Sequence, residues 1–585
     1  MKIVVLVKQV PHPEAIEFDQ ETKTLKREGV PLILNPFDRG AVLAAVALRE
    51  RAGGEVVTMT MGPPSAEEAL RETLALGADR AIHLSDRAFA VADTLGTSRT
   101  LALAIRKEGG VDLVMSGRKT VDSETWQVPP EVAAFLGWPQ IVSAVWLDAA
   151  GARLRVTREL DGGEEVYELD LPAMVSVARA SEDEAEPGEG RVDVWTATDL
   201  VDDLAENDKR FGQNGSPTRV LAVRDATPER AGVRVTGWEE AAATVERLLA
   251  ERERPLSSWE KPPHAAEQPA ANYDAWSVVE VRDGRPTRPS LELVAKAREL
   301  AGKLGGRSVA LLVGHELDEP AKEAIRHGAE AAYVVDDESF AAYDAARIAA
   351  ALRLIVERER PHVLLIPASA RGRDYGPRLA GELELGMTGD CVNVDIAKAG
   401  RLLQHKPAFG GNIVSVIMGA TNPQLATVRS RMFEPLEPRD IAGEIHRVAP
   451  DGIPPARCSF IGRHGGTDAW KLDEAEIVVL LGSGGGPPDE VARIAREAGA
   501  AFGATRDLCM SGAVPWSYHV GLYGRPVAPR VLVALGVTDD FEHVTGFVKA
   551  DVVVSFPEAG WPADVHAAAD WRALPQFVNR VAALV

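Results

Sequence analysis

Residues 56–84 read VVTMTMGPPSAEEALRETLALGADRAIHL, and residues 308–336 read SVALLVGHELDEPAKEAIRHGAEAAYVVD. Each stretch contains an apolar run, a glycine, a helical segment, a Gly-Ala-acid triplet and a second apolar run. This self-similarity indicates two homologous α/β units on one chain, as a fusion of two related subunits would produce. Such units would face each other across an interface, and ligands commonly bind at interfaces between domains.

Strands and helices alternate through the first half of the chain. The predicted strands are Ile3–Val7, Val56–Met61, Ala81–Leu84 and Leu113–Ser116, and the predicted helices are Arg39–Ala52, Ala66–Leu76 and Thr94–Lys107. Continuous apolar strands separated by helices predict a parallel sheet covered on both faces. Ligands of such sheets bind beyond the carboxyl ends of the strands, which here means the loops after Val7, Met61 and Ser116.

The pattern changes along the chain and suggests domain boundaries. Alternation from Leu154 to Val177 predicts a hairpin extension, and residues 181–190 (SEDEAEPGEG) predict an exposed acidic loop. Residues 255–272 are rich in Pro, Ala and polar residues, which is typical of a linker. The predicted segments are a first α/β domain at 1–252, a linker at 253–273, a second α/β domain at 274–448, a linker at 449–474 and a third α/β domain at 475–585.

The third domain begins with a strand at Ile477, followed by the glycine-rich turn 482–488 and a helix at Glu490–Ala498. A strand, a glycine-rich turn and a helix form the geometry that binds phosphate on backbone N–H groups. A tight structural turn fits the same sequence equally well.

The composition argues against several functions. The formal net charge of −22 argues against a nucleic-acid partner, because phosphate binding needs a concentrated basic surface. Lys8 interrupts the first apolar run, and no apolar run approaches the length that spans a membrane, so we expect no membrane insertion. Few, widely separated cysteines predict a reducing cytoplasm: Cys391, Cys458 and Cys509.

The sequence offers no metal site and no catalytic constellation. Four histidines lack metal-ligand spacing, and we expect each of them to face solvent or to be structural: His12, His264, His405 and His519. No Ser-His-Asp or paired-carboxylate arrangement can be argued from the sequence, so we assign no catalytic residue.

Several blocks resemble the electron transfer flavoprotein family. The first half resembles the beta subunit at MKIVVLVKQVP (1–11), LNPFDRGAV (34–42), residues 62–84 and DLVMSGRKTVDSETWQVPPEVAAFLGWPQ (112–140). The second half resembles the alpha subunit at ASARGRDYGPRLAGELELGMTGDC (368–391), KPAFGGNIVSVI (406–417), QLATVRSRMF (424–433), FGATRDLC (502–509) and HVGLYGRPVAPRVLVALGV (519–537). The resemblance covers nearly the whole chain, in the order beta then alpha.

The resemblance implies both a fold and a function. The fold would be two Rossmann-like parallel-sheet domains of the adenine nucleotide alpha hydrolase type, followed by a C-terminal α/β domain of the FAD-binding type that swivels on linkers. Members carry electrons from dehydrogenases to acceptors, and their beta subunits hold either AMP or, in bifurcating members, a second FAD. One chain would here replace the usual heterodimer.

The loop Asp122–Pro130 resembles the nucleotide loop of beta subunits. AMP-type members read roughly DGDNNQT and flavin-type members roughly DGDTAQVGP; this chain keeps Asp122, Thr125, Gln127, Val128 and Pro130 of the flavin type. Hydroxyl and amide groups next to a helix N-terminus suit phosphate, although helix capping explains them too. AMP and FAD both stay open as the ligand of this loop.

Further residues are predicted to contact the cofactor of the beta-type site. From the first half they are Val7, Lys8, Gln9, Asn35, Asp38, Gly62 and Gly117. From the second half Arg373 and Arg378 would face a reduced flavin, or else form a salt bridge between domains.

The C-terminal domain resembles the family's FAD site with departures. The predicted contacts are Thr505, Arg506, Gly521, Gly524, His543 and Asp570. The family's Gln-Thr pair has become Leu522-Tyr523, two carboxylates stand at Asp539 and Asp540 where a pyrophosphate would approach, and Phe556 replaces an asparagine. These changes predict a weakened or altered C-terminal FAD site.

Two functions follow from these patterns. The first is an electron transfer flavoprotein that carries electrons between a dehydrogenase or NADH and a downstream acceptor such as a quinone reductase, with FAD at the interface and also in the C-terminal domain; two filled sites would permit flavin-based bifurcation. The alternative is a scaffold or sensor that binds AMP or ADP without redox function. Residues 178–194 are acidic where beta subunits carry a basic docking stretch, which argues against acyl-CoA dehydrogenases as donors.

Overall fold

The computed structural model describes residues 1–15, 29–160, 162–252, 254, 256–264, 273–557 and 560–585, and the backbone of 17–19 and 24–26. Residues 253, 255 and 265–272 of the predicted linker 253–273 therefore lie outside the described residues. The described helices are Pro36–Ala52, Glu67–Ala75, Thr94–Glu108, Val128–Leu136, Ala197–Leu200, Trp238–Glu251, Arg288–Leu304, Asp318–Arg326, Ala345–Glu359, Gly372–Glu382, Pro488–Glu497, Arg506–Met510, Phe541–Val544 and Leu574–Ala582.

Three sheets with parallel strands form the cores of three units, which we call the first, second and third unit. The first sheet contains, from edge to edge, Val192–Trp195, Arg80–Leu84, Glu55–Met61, Lys2–Leu6, Leu113–Gly117, Ala173–Val177, Gln140–Ala150, Arg153–Leu160, Gly163–Asp170 and Cys458–His464. The last four form an antiparallel extension, so the predicted hairpin is confirmed.

The second and third sheets are parallel throughout their described strands. The second contains Met387–Cys391, Gln424–Val428, Val363–Pro367, Ala275–Val278, Ser308–Gly314, Ala331–Asp336 and Glu444–Arg447. The third contains Val233–Val235, Val565–Ala567, Val552–Phe556, Val531–Leu535, Ile477–Leu481 and Ala501–Ala504. The predicted α/β class with parallel sheets is confirmed.

The smaller sheets are antiparallel. One contains Thr218–Asp225, Ile413–Gly419, Leu402–Ala408 and Asn393–Ile396. The two-stranded pairs are Gln9–Pro11 with Leu32–Leu34, Glu17–Asp19 with Thr24–Lys26, and Val281–Arg282 with Arg285–Pro286.

The repeated sequence folds twice into the same strand–helix–strand unit. In the first unit the Asp79 carboxylate accepts a hydrogen bond from the Val56 amide at 2.7 Å, and in the second Glu330 accepts one from the Ser308 amide at 2.9 Å. The acid of each triplet thus binds the start of the preceding strand. The glycines that open the triplets have φ of +107° at Gly77 and +116° at Gly328, a conformation that favours glycine.

The folded units do not follow the predicted boundaries. Val233–Val235 pairs with Val565–Ala567, and Trp238–Glu251 buries its apolar face in the third core, although both were assigned to a first domain ending at 252. Cys458–His464, from the predicted linker 449–474, completes the first sheet. Segments cross between units because an edge strand satisfies its backbone groups by pairing with whichever sheet edge lies within reach.

The first sheet has a topological switch point. The chain leaves Lys2–Leu6 through Pro36–Ala52 and returns on one side as Glu55–Met61, whereas it leaves Leu113–Gly117 through Val128–Leu136 toward the other side. The loops after these two neighbouring strands therefore diverge. They leave between them a crevice of the kind in which parallel sheets bind ligands, and we call it the switch-point crevice.

A buried ionic cluster joins the first and second units. The Arg158 side chain is fully buried and contacts Asp374 at 3.2 Å and Glu165 at 3.2 Å. Asp374 also accepts hydrogen bonds from Gln140 at 2.6 Å and Tyr343 at 3.0 Å. Every charge in this cluster has a partner, as burial in a low-dielectric interior requires.

We expect Asp374→Asn to destabilise the chain by about 3–5 kcal/mol, because it leaves the Arg158 charge buried with one anionic partner fewer. Urea unfolding followed by circular dichroism measures the change. The control is Glu251→Gln, which removes an exposed pair with Arg247 and should cost less than about 0.5 kcal/mol. Equal effects of the two substitutions would contradict this role for the cluster.

Candidate functional site

The switch-point crevice brings together most residues predicted for the beta-type site. Val7, Lys8 and Gln9 follow the strand Lys2–Leu6, while Gly117 and Asp122 lie at the end of Leu113–Gly117 and in the loop after it. Asn35 and Asp38 lie at the start of the helix Pro36–Ala52, which faces the same edge. These residues thus lie near one another at the carboxyl edge of the first sheet, and their role in binding a cofactor stays a prediction.

The polar groups around the crevice bind one another. Asp38 accepts hydrogen bonds from the amides of Lys8 and Gly117, both at 2.9 Å, and burial raises the pKa of Asp38 to about 7. The Asn35 amide donates to the carbonyl of Lys119 at 3.0 Å. These contacts tie the loops after the two strands together.

Three further side chains of the predicted site have partners within the protein. Lys8 contacts Asp122 at 2.6 Å, and Gln9 reaches Glu68 at 3.4 Å. The Gln127 amide donates to the carbonyl of Met387 at 3.0 Å. Of the two donors predicted for phosphate, Thr125 and Gln127, the Gln127 amide is engaged within the protein.

The remaining residues predicted for the beta-type site make separate local contacts and do not form one site. Val128 begins a helix, the Thr125 carbonyl packs against Gly389, and Gly62 packs against Ala66. Arg378 donates to the carbonyl of Trp138 at 2.8 Å and lies among the contacts between the first and second units.

Aromatic rings and cations fill the inside of the crevice. The Arg118 guanidinium lies 5.1 Å from the Phe37 ring and 5.0 Å from the Trp126 ring. Lys119 lies near the same two rings, and Arg373 lies 4.8 Å from Trp126. Trp126 has φ of +64°, which is rare for a bulky residue and indicates that the surrounding contacts hold it in place.

The predicted C-terminal contacts are also engaged. Arg506 pairs with Glu542 at 3.3 Å and with Glu182 of the acidic loop, so its charge is already balanced. His543 lies 2.9 Å from the Thr538 hydroxyl. The Thr505 hydroxyl donates to the Asp507 carboxylate, so both side chains are engaged with each other at the start of the helix Arg506–Met510.

Three other predicted residues have local structural roles. Gly524 packs against the carbonyl of His519, and Gly521 against that of Glu542. Asp570 is exposed and accepts a hydrogen bond from the Arg572 amide at 2.8 Å, which caps the short helical turn that follows.

The glycine-rich turn of the third unit is a close approach between two segments. A Cβ at Gly482 would lie 2.4 Å from the Gly536 carbonyl oxygen, and one at Gly485 would lie 2.1 Å from that of Leu535. The glycines are thus needed for packing against 535–537. This observation favours the structural turn over a phosphate site.

A cavity lies where the three units meet, and we call it the junction cavity. It leaves about 100 Å³ for the centres of water molecules, and one water needs roughly 10–15 Å³ by that measure. Six cationic and two acidic side chains line it: Arg118, Arg179, Arg373, Arg429, Arg525 and Lys549, with Glu159 and Asp473. The lining therefore carries a positive excess inside a strongly acidic protein.

Two buried polar groups of the junction cavity lack partners among the described residues. Both ring nitrogens of His519 are buried without a hydrogen bond, and so is Nε of Arg118. Burial lowers the pKa of Arg118 to about 9 and holds the pKa of His519 well below its usual value. A buried group without a partner is costly, so these atoms point to a ligand.

Sequence reasoning missed most of the junction cavity. His519 was expected to be solvent-facing or structural, yet it lies buried in the cavity wall. Trp126 stands where the quoted flavin-type loop has alanine, and that difference was the available signal. The remaining cations are brought together by packing between units.

The described residues contain no group of three or more His, Cys, Asp or Glu side chains arranged to hold a metal ion. Among them, no helix combines the length and the apolar character needed to cross a bilayer.

The protein is of the α/β class, with three units around a cavity whose excess of cationic side chains suits an anionic ligand. Residues 22–200 and 275–452 match the electron transfer flavoprotein domain, and residues 471–548 match the electron transfer flavoprotein FAD-binding domain. These matches cover more than half of the chain. The chain belongs to the electron transfer flavoprotein family, whose members transfer electrons, and the predicted resemblance is confirmed.

Related proteins match the two halves separately. The first half is similar to the electron transfer flavoprotein subunit beta of Thermoanaerobacterium thermosaccharolyticum, at 40% identity over 42% of this chain and 98% of the relative. The second half is similar to the alpha subunit of the same organism, at 31% identity over 48% of this chain and 88% of the relative. The caffeyl-CoA reductase-Etf complex subunit CarD of Acetobacterium woodii is 38% identical over 42% of this chain and 98% of its own length. One chain thus contains counterparts of both subunits.

The junction cavity is cationic and smaller than a typical ligand pocket. Its cations and the unpartnered nitrogens of His519 suit an anionic, hydrogen-bonding ring. The space corresponds to roughly seven or more waters, about 200 Å³ of liquid, below the about 300–1,000 Å³ of typical ligand pockets. A complete dinucleotide needs more room than this packing provides.

We expect His519→Gln to flatten the pH dependence of stability. The pKa of His519 is held well below 6.5 by burial and by the nearby Arg118 charge, so the unfolded chain takes up a proton below about pH 6.5 that the folded chain refuses. The wild type therefore loses stability as the pH falls below that value, by up to about 1.4 kcal/mol per pH unit from this group.

Urea unfolding between pH 7 and pH 5 measures this difference. His519→Gln should lose less stability over that range than the wild type, and the exposed His464→Gln serves as the matched control. Parallel pH profiles for the wild type and His519→Gln would contradict a buried neutral imidazole.

Proposed function

We propose that this chain is a single-chain electron transfer flavoprotein that carries electrons between a dehydrogenase or NADH and a downstream redox acceptor. The observation that supports this proposal most directly is the junction cavity, with its cationic lining and the unpartnered nitrogens of His519. FAD is the proposed cofactor because residues 471–548 match the FAD-binding domain of the family. The family assignment supports electron transfer over the nucleotide-binding scaffold.

The residues proposed to hold the flavin ring come from all three units. Arg118 of the first unit offers an unpartnered Nε, Arg373 of the second adds positive charge, and His519 of the third offers a neutral imidazole. A neutral imidazole carries one hydrogen-bond donor and one acceptor, so His519 can orient the ring without adding charge. FAD supplies the one- and two-electron redox chemistry when bound.

The positive charges of the cavity would favour the reduced state of a bound flavin. A guanidinium near a group that gains negative charge stabilises that charge strongly in a water-poor site. Arg118 donates to the carbonyl of Tyr523 at 2.7 Å, and Arg373 is held by Asp390 through contacts at 2.8 and 2.9 Å, so both charges are already positioned. Little reorganisation is then needed when an electron arrives.

We propose redox proteins with basic surfaces as the partners. The net charge is −22, and the loop 181–190 presents exposed carboxylates at Glu184, Glu186 and Glu189. Complementary charge speeds diffusional encounter and suppresses wrong partners. The reversed charge of this loop relative to the basic docking stretch of beta subunits favours a donor other than an acyl-CoA dehydrogenase.

Reconstitution with FAD tests the proposed function. The purified chain should bind FAD, show flavin absorbance and bleach with dithionite. Arg118→Gln should weaken FAD binding by about 10- to 100-fold, because hydrogen bonds to charged groups contribute about 1.5–3 kcal/mol.

The matched control for this substitution is Arg493→Gln, which removes an exposed arginine of the third unit and should leave FAD affinity unchanged. Titration followed by flavin fluorescence measures both variants. A wild-type chain that stays colourless after reconstitution would overturn the proposed function, and equal affinities of wild type and Arg118→Gln would remove the cavity as the location.

A further inference from the structure

Leu522 and Tyr523 of the third unit enter the switch-point crevice of the first unit. Leu522 is 3% exposed and packs with Val10, Phe37 and Val121 in one buried cluster. The Tyr523 ring lies edge-on to Phe37, with 5.9 Å between the ring centres. The three residues of the first unit come from the loops and the helix start at the carboxyl edge of the first sheet, where a nucleotide would otherwise bind.

Polar contacts hold the two residues in this position. The Leu522 amide donates to the carbonyl of Glu542 at 2.7 Å, which fixes the turn within the third unit. Arg118 donates to the carbonyls of Tyr523 at 2.7 Å and Gly524 at 3.3 Å, which fixes the turn to the first unit. The Arg506 guanidinium covers the Tyr523 ring at 4.8 Å.

The switch-point crevice is therefore occupied by side chains of the protein itself. Its polar rim is closed by the pair Lys8–Asp122 and by the contacts of Asp38, while its interior is filled by Phe37 and Leu522. This apolar packing occupies space that a purine would need, and the Lys8, Asp122 and Asp38 groups of the rim are engaged in contacts with the protein itself.

We propose that Leu522 and Tyr523 form a built-in plug that occupies the switch-point crevice in place of an adenine nucleotide. The chain consequently holds neither AMP nor a second flavin in that crevice. Together with the proposed function, on which this second statement rests, the plug makes the protein a carrier of a single flavin, whose ring would lie in the adjacent junction cavity.

A plug on the same chain competes well with a free nucleotide. A segment tethered by the polypeptide has an effective concentration on the order of millimolar or more. Free AMP at micromolar concentration would therefore displace the plug only if its intrinsic affinity were far higher. The plug also attaches the third unit to the first, so one contact both closes the crevice and positions the third unit.

Titration with AMP tests the plug without any flavin. Wild-type chain should release no AMP on heating and should show no saturable AMP binding in the micromolar range by calorimetry. The double substitution Leu522→Gln with Tyr523→Thr withdraws the apolar surface, and it should bind AMP at least about tenfold more tightly than the wild type.

Matched variants separate the plug from a general loss of packing. Leu522→Met keeps an apolar side chain and should bind AMP no better than the wild type. Tyr523→Thr alone changes the less buried residue of the plug and leaves Leu522 in place. It is the variant to use if the double variant does not fold, and it should give an intermediate gain in AMP affinity. A cooperative urea transition of each variant establishes that it is folded.

Two results would overturn the plug. One is AMP bound to the wild-type chain, and the other is a folded double variant or a folded Tyr523→Thr variant whose AMP affinity equals that of the wild type. Failure of the proposed function is a different outcome, because it shows as absence of FAD binding in the junction cavity and leaves the AMP titration unaffected.

Discussion

The buried cluster around Arg158 is the constraint on which the rest of the structure depends. Arg158 comes from the hairpin extension of the first sheet, and Asp374 comes from the helix Gly372–Glu382 of the second unit. Neither charge reaches solvent, so a packing orientation that separated these groups would leave buried charges without partners. That orientation also places Trp126 against Arg373 and so forms two walls of the junction cavity. The Arg158–Asp374 pair therefore says more about how the first and second units are oriented than about how much the pair adds to the stability of the chain.

The third unit completes the cavity because its attachment is distributed over several contacts. Val233–Val235 and Trp238–Glu251 add to its sheet and core, Arg118 holds the turn at Tyr523 and Gly524, and Arg254 contacts Asp551 at 2.8 Å. These contacts bring cations from all three units into one space inside a protein whose net charge is −22. The field of the cavity is therefore opposite in sign to that of the protein as a whole, which favours an anionic ligand inside and a cationic partner outside.

The features predicted correctly from the sequence are those that depend on local patterns of residues. The repeat at 56–84 and 308–336 predicted both strand–helix–strand units, and apolar strands separated by helices predicted the parallel sheets and the edge at which the loops meet. Contacts between distant segments were not predictable in the same way. The pairing of Arg506 with Glu182 joins residues 324 positions apart, and Cys458–His464 joins a sheet that begins at Lys2. Such pairings depend on how completed units pack, which no local period encodes. The positive φ of Trp126 and the missing partners of His519 are likewise consequences of assembly.

The departures from the family's C-terminal FAD motif can be explained together by the contact between the first and third units. Leu522 and Tyr523 each remove a polar contact that the family provides, yet both bury surface against the first unit. Glu182 belongs to an acidic loop that replaces a basic one, yet its carboxylate balances Arg506 beside Tyr523. Asp539 and Asp540 are exposed, so their charges are solvated and cost little in this packing. Leu522, Tyr523 and Glu182 all contribute to the contact between the first and third units, so we expect the effects of substituting them to be coupled. In the proposed plug, a surface that could contact a nucleotide is used instead for a fixed contact between these two units.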